Sequence, residues 1–441
     1  MITVNNEIMV DIPRYEQFIG GDFIKNNAET KFIEVLDPCS EEIIALAPRG
    51  TREDADLAVR LAKKAQVEWS KRTSVARASY LKKMAIIIRG HRVFLAKTLA
   101  KEQAKPLSLA QVEIDVTAEY YDYYAGLARS YEGEIIPSDR PGEQIFLHKF
   151  PIGVAVGICP WNFPFFVMAR KVAPSLLTGN TIIIKVSHET PLTCLEFAKL
   201  LDEIELPAGV LNILCGFGNE LGEALTGNKD VGIISLTGSV AAGERVMEAA
   251  SKNITKVSLE LGGKAPAIVC KDADLDLAVK SIVASRIIYS GQVCNCAERV
   301  YVEREVYDQF ISKLIQAIKE VKIGNASDDE GIDMSAQINK TQLLKIHEMV
   351  IRAKQEGGRV LIGGEKDKNF SKGYYFEPTV IVDISQGSEI MQDEIFGPVL
   401  PVMKVDSFEQ ALELANDSVY GLTSSLFTND LDIKLKSFFI E

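Results

Sequence analysis

No uninterrupted apolar run in this sequence approaches the ~20 residues that a membrane-spanning helix needs. A basic excess is also missing, the formal net charge being −12; a nucleic-acid or anionic-membrane surface would need the opposite sign. The opening segment Met1–Glu7 lacks the positive start and apolar core of a secretory signal, and its acidic character does not suit a transit peptide. The seven cysteines, at 39, 159, 194, 215, 270, 294 and 296, are odd in number and follow no framework spacing, which fits reduced thiols in a cytoplasmic protein. A metal site is discarded as well, because Cys294-Asn295-Cys296 has no second Cys pair or nearby His to complete about four zinc ligands. No repeat or low-complexity segment stands out. What is present is ordinary for a soluble globular enzyme: 441 residues, 47% hydrophobic and 25% charged. That length allows two or three domains with a cleft between them, and small-molecule chemistry is the expectation.

Residues 1–50 alternate short β-like pieces, such as 15–19 and 32–35, with turns, as a small antiparallel prelude. Apolar residues then recur at helical spacing over 53–69, with Thr51 and Asp54 forming a partial capping box; 77–102 and 107–131 continue as long helices. Residues 131–149 read as two strands around a Pro/Gly turn, either a surface hairpin or an arm that pairs with another subunit. From Gly153 an α/β series begins, with strands expected at 154–158, 181–185, 210–214, 232–236 and 266–269 and helices at 168–177, 190–204 and 241–251. A second series follows Asp274, with a helix over 306–322 and strands at 300–302, 379–382 and 398–405. Strands alternating with helices at this spacing indicate parallel doubly wound sheets, which bind ligands beyond their strand C-termini.

Those strand ends carry the distinctive residues. Cys294 follows Gly291 and precedes a β-patterned run, a placement suited to a nucleophile on a turn at the floor of a cleft, although free cysteine is more often a small buried hydrophobe. In Cys159-Pro160-Trp161-Asn162-Phe163-Pro164 two prolines fix the backbone around Asn162, whose amide can donate to an oxyanion; an ordinary aromatic turn would also fit. Lys185 at a strand end before a helix suits a phosphate or ribose, as does a solvated loop position. Gly216-Phe217-Gly218-Asn219-Glu220-Leu221-Gly222 is one residue longer than the usual dinucleotide fingerprint, and Thr237-Gly238-Ser239 opens a helix whose first amides suit a pyrophosphate. Glu260 lies in an apolar run, where burial would raise its pKa toward general-base range unless it pairs with Lys264 or another cation. Glu394-Ile395-Phe396-Gly397-Pro398 places a carboxylate and an aromatic ring at a turn, for ribose binding or simple capping.

Taken together, Pro160–Pro164, Thr237–Ser239, Leu259–Lys264, Gly291–Cys294 and Glu394–Pro398 resemble the aldehyde dehydrogenase superfamily in order and approximate spacing. Within it, Tyr131–Ile136, Ser138–Glu143 and Cys294–Val302 resemble members acting on short hydroxyaldehydes such as lactaldehyde or glycolaldehyde, with a semialdehyde dehydrogenase as the alternative. The resemblance implies two doubly wound parallel-sheet domains and a β-hairpin oligomerisation arm. The dinucleotide-binding domain would span 1–130 and 152–262, the arm 131–151 and the thiol domain 263–441. It further implies Cys294 as nucleophile, Asn162 with the Cys294 N–H as oxyanion donors, Glu260 as general base and Lys171 as support for the Asn162 region. Trp161, Lys185, His188, Gly218, Gly222, Gly238, Ser239, Glu394 and Phe396 would bind NAD or NADP. His188 stands where many NAD-using members carry Glu, which makes NADP an option, and Val186 replaces the usual Pro. A homo-oligomer acting on a small aldehyde, with no nucleic-acid or membrane partner, is expected. The ending at Glu441 implies a shortened C-terminus that lacks part of the substrate funnel and the strand that pairs with a neighbour's arm; a truncated chain that binds nucleotide without turnover is the opposing expectation.

Overall fold

The computed structural model describes residues 12–327 and 331–437. The opening Met1–Glu7 and the last residues, 438–441, on which the leader and ending expectations draw, lie outside the described residues.

The first α/β unit is organised by one sheet of seven strands. Its parallel centre is Lys256–Glu260, Val231–Thr237, Val154–Ile158, Thr181–Val186 and Leu211–Cys215, in that spatial order. The prelude supplies Gln17–Ile19 and Asp22–Ile24 as an antiparallel edge, while Phe32–Leu36 and Ile43–Pro48 pair separately. Central strands such as Thr181–Val186 are buried along their whole length, the pattern of a sheet covered on both faces. The chain winds outward from Val154–Ile158 in both directions, so the reversal of strand order falls between this strand and Val231–Thr237. A crevice opens beyond the carboxyl ends of strands at such a reversal.

A second sheet of six strands runs Arg359–Ile362, Thr379–Val382, Val399–Val405, Arg299–Glu303, Pro266–Val269 and Ser425–Phe427, parallel except at the first. Pro266–Val269 therefore belongs here and not to the series begun at Gly153. Both sheets give an apolar strand of this length the same surroundings, so periodicity did not discriminate between them.

The helical block behaves largely as its spacing requires. Thr51 and Asp54 form a complete capping box for Arg52–Lys71, whose core face is Ala55, Ala58, Val59, Ala62 and Trp69. The single helix expected over 77–102 is two, Ser74–Gly90 and Arg92–Gln103, parted at His91 (φ −105°, ψ 17°). Gly90, a weak helix former, allows the break. Leu107–Gly126 completes the block. Glu134–Pro137 and Gln144–Leu147 make the expected hairpin, exposed at every position. Among the described residues no helix is long and apolar enough to cross a membrane.

Candidate active site

The crevice between Val154–Ile158 and Val231–Thr237 deepens into a cleft of about 550 Å³ that runs to the second sheet. Trp161, Asn162, Lys185, His188, Gly218, Gly222, Gly238, Ser239, Cys294, Glu394 and Phe396 all line it. Residues spread over more than 230 positions of sequence thus share one surface. Of the expected residues, only Lys171 and Glu260 stand outside that lining.

Lys171 lies beneath the floor. Its Nζ donates to Ser235 Oγ and Thr237 Oγ1, both at 3.0 Å, and burial draws its pKa down to about 8. The strand above makes room for it at Gly157, where a Cβ would press on Ile184 Cδ1 at 2.6 Å and on Lys171 Cδ at 3.0 Å. Glu260 departs from expectation. It is exposed at the end of its edge strand, because among the described residues no further strand covers that side, and its charge still contributes to raising the pKa of Cys294. Nor is it the partner of Lys264, whose Nζ donates instead to Glu298 at 2.9 Å.

Cys294 is the one accessible thiol among the seven, the other six being buried. Burial raises its pKa and Glu394 adds to the rise, so the resting group is a protonated thiol. The turn that presents it is locally strained: Tyr289, Ser290 and Gly291 all have positive φ (45°, 54° and 76°). Such backbone persists only where the surroundings over-determine it. Tyr289 donates its hydroxyl to Gln103 O at 2.9 Å, Ser290 Oγ donates to Ser335 O at 2.6 Å, and Gln292 Oε1 accepts from the Ile338 amide at 2.8 Å. Asn162 closes the same turn from the first unit, donating from Nδ2 to Gln292 O at 3.0 Å. That bond uses one of its two amide hydrogens and leaves the other for the cleft.

Glu394 faces Cys294 across two glycines. Its Oε1 accepts from the Gly263 amide at 3.0 Å, and burial raises its pKa. A Cβ at Gly262 would lie 2.7 Å from Glu394 Oε2, and one at Gly263 would overlap the Cys294 carbonyl oxygen. Only glycine permits both approaches. Phe396 meets Trp161 edge to face with centroids 5.3 Å apart.

Sequence reasoning did not assign what ties these pieces together. Buried Glu298 accepts from Lys264 at 2.9 Å, from Arg286 at 2.8 Å, and from the amides of Ile395 and Phe396 at 3.1 and 3.2 Å. Arg286 in turn donates to the carbonyls of Ala297 and Gly291, both at 2.9 Å, and to Gly397. One carboxylate thereby joins the thiol turn, the Gly262–Lys264 segment and the Glu394–Gly397 turn. Burial alone would raise its pKa, but Arg286 and Lys264 hold it down to about 2. A charged residue inside the run Ala297–Val302 was the available signal. Arg245, Gln342 and Lys345 also line the cleft and carried no motif.

A dinucleotide fits the residues present. The volume lies within the roughly 300–1,000 Å³ of small-molecule sites. The helix Val240–Ser251 opens behind Gly238 and its N-cap Ser239, an arrangement that favours phosphate, and buried Lys185 lines the same cleft. The thiol lines it too.

The family model described as "Aldehyde dehydrogenase family" matches residues 23–437. The chain belongs to the aldehyde dehydrogenase family. Lactaldehyde dehydrogenase of Escherichia coli (strain K12) is 50% identical over 96% of this chain and 88% of that relative. A crystal structure of lactaldehyde dehydrogenase from Escherichia coli superposes with a TM-score of 0.95, covering 97% of this chain and 89% of that one. D-glyceraldehyde dehydrogenase (NADP(+)) of Picrophilus torridus is 38% identical over 94% of this chain and 84% of the relative. Betaine aldehyde dehydrogenase from Staphylococcus aureus, solved in complex with NAD+, is 34% identical with a TM-score of 0.93 over 96% of this chain and 84% of that one. Family membership makes the reaction class the oxidation of an aldehyde, and the doubly wound sheets with their hairpin are the family fold.

Proposed function

We propose that the chain oxidises a short hydroxyaldehyde, such as lactaldehyde or glycolaldehyde, to its carboxylate with NAD or NADP as oxidant. The observation that carries this reading is the presence in one cleft of the accessible Cys294 thiol and of the Asn162 amide, which is bonded to the same turn. The resemblance to lactaldehyde dehydrogenase supports the substrate class. Lys185, Gly238 and Ser239 would hold the pyrophosphate end of the dinucleotide, and Glu394 and Phe396 the end beside the thiol. When bound, the oxidised dinucleotide supplies a two-electron hydride acceptor.

The remaining steps fall to the chain's own groups. Transfer of the Cys294 proton to solvent water would give a thiolate that bonds to the carbonyl carbon as the carbonyl π bond breaks, and the charge moves to oxygen. The free Asn162 N–H and the Cys294 N–H would hold that oxyanion. Departure of the hydride leaves a thioester on Cys294. Glu260 would take a proton from the water that attacks it, releasing acid and thiolate. Exposure of Glu260 suits a base that must meet water, and Lys171 would support the floor beneath.

His188 packs at a tilt against Phe217 with centroids 4.9 Å apart, and burial with nearby Lys185 lowers its pKa to about 4. A neutral imidazole there neither repels nor attracts a 2′-phosphate, so both cofactors are admitted. The hairpin exposes Ile135 (70%) and Phe146 (56%), with Phe150 (79%) beside it, an apolar surface that suits a homo-oligomer in the cytoplasm. The division of labour would be 1–130 with 152–262 for the dinucleotide and 263–441 for the thiol. A panel of lactaldehyde, glycolaldehyde and succinic semialdehyde, each with NAD and with NADP, tests the reading. The hydroxyaldehydes should give the highest kcat/KM, and preference for the semialdehyde, or no reduction of either cofactor, would defeat it.

A further inference from the structure

Far from the thiol in sequence, Lys105 and Glu113 form a fully buried ion pair inside the helical block. Such a pair contributes little net stability, since desolving both charges offsets their attraction and apolar residues would fill the space as well. Its directional bonds are what an apolar pair could not reproduce. Lys105 Nζ donates to the main-chain oxygen of Asn162 at 2.7 Å. Glu113 Oε1 accepts from the amides of Phe165 and Phe166, both at 3.1 Å, at the start of the helix Pro164–Leu177. The cation grips the residue before the helix and the anion grips its first turn, so the Asn162–Pro164 corner is clamped from both sides. The same ammonium lies 3.7 Å from the Phe163 ring centroid and 4.6 Å from that of Tyr289, whose positive φ begins the turn leading to Cys294.

We infer that the Lys105–Glu113 pair is a positioning device for catalysis, fixing the Asn162 amide relative to the Cys294 turn. Neither residue lines the cleft itself; both act through the corner they hold. The inference rests on the proposed role of Asn162 as an oxyanion donor. A donor clamped in this way needs no reorganisation when charge develops on the substrate oxygen, and misplacement by about 1 Å is worth on the order of 10²-fold in rate.

The test is a double-mutant cycle on the full chain, with lactaldehyde and saturating NAD or NADP, joining Asn162→Ala to the paired change Lys105→Met with Glu113→Gln. In the parent background the paired change should lower kcat about 10- to 100-fold while dinucleotide affinity, read by fluorescence, moves less than about twofold. In the Asn162→Ala background it should cost no more than about twofold further, because the group it positions is gone. An equal loss in both backgrounds, or an unchanged kcat in the parent, overturns the inference. If the paired variant melts at the assay temperature, the same four-way comparison is made below its melting temperature, with each kcat referred to the folded fraction read by circular dichroism, since changing either partner alone would strand a buried charge. Asn162→Ala with parental kcat would remove the oxyanion assignment itself, whereas a damaged Asn162→Ala with multiplicative losses removes only the positioning role.

Discussion

The two ends of the cleft are built differently. Around Cys294 the backbone is held by buried, hydrogen-bonded polar groups: the ion cluster of Glu298, Arg286 and Lys264, and Asn162 from the first unit. Around the expected adenosine end the groups make fewer polar contacts. His188 rests on Phe217, Lys185 Nζ reaches only as far as the Val186 carbonyl at 3.2 Å, and Gly218, Ser239 and Arg245 are exposed. A site that develops charge in its transition state needs donors fixed in advance, whereas a site that only binds a nucleotide tolerates adjustment. Substitutions at the thiol end should therefore abolish turnover or unfold the chain, and substitutions at the other end should change cofactor choice alone.

The sharpest test of that contrast is Cys294→Ala. Turnover should fall by about 10⁴-fold or more, the scale seen when a nucleophile is removed, while dinucleotide affinity stays at the parent value. Loss of affinity in step with turnover would break the comparison, since the two ends would then not be separable. Next in size is Glu298→Gln, which leaves Lys264 and Arg286 buried with no counter-charge and should destabilise the fold by about 3 kcal/mol in denaturant unfolding near neutral pH. The pH dependence carries a sign. Because the folded pKa of Glu298 lies below its ordinary 4.5, its contribution is complete above that pH and is lost as pH falls toward about 2. Parent and variant should thus converge in stability on acidification; a gap that stays constant would remove the charge explanation. The smallest effect is expected from His188→Glu. A carboxylate beside the 2′ position should lower kcat/KM with NADP relative to NAD by about tenfold, roughly 1.4 kcal/mol, with kcat for NAD unchanged. A fall in kcat with both cofactors would show that this end is as tightly coupled as the other.

Much of this site was legible before any coordinates. Asn162 and Gly238 stand at turns after apolar strands, Lys185 at a strand's carboxyl end, and Cys294 and Glu394 at turns that lead into strands; each lines the cleft. The failures have physical causes. Glu260 was expected to be enclosed because its neighbours in sequence are apolar, yet an edge strand has one uncovered side, and edge position is a property of sheet order rather than of composition. The helix over 77–102 was read as continuous because hydrophobic spacing survives a one-residue break at His91. Glu113 left a trace that went unread: it falls on the buried stripe of Leu107–Gly126, beside Ala110, Ile114 and Thr117. An acid at a core position of an amphipathic helix calls for a cation, and Lys105 is that cation.

By itself, then, the sequence determined the type of most elements it assigned, most of the residues that gather at the cleft and the family, since these depend on local backbone preference and on which residue types sit in turns. Tertiary structure alone decided which strands share a sheet, that Lys264 pairs with Glu298 and not with Glu260, and that the strained Tyr289–Gly291 turn is held by groups from both units. Burial and pairing of charge arise from contacts between residues far apart along the chain. Periodicity reports which face of an element is apolar but not what that face will meet.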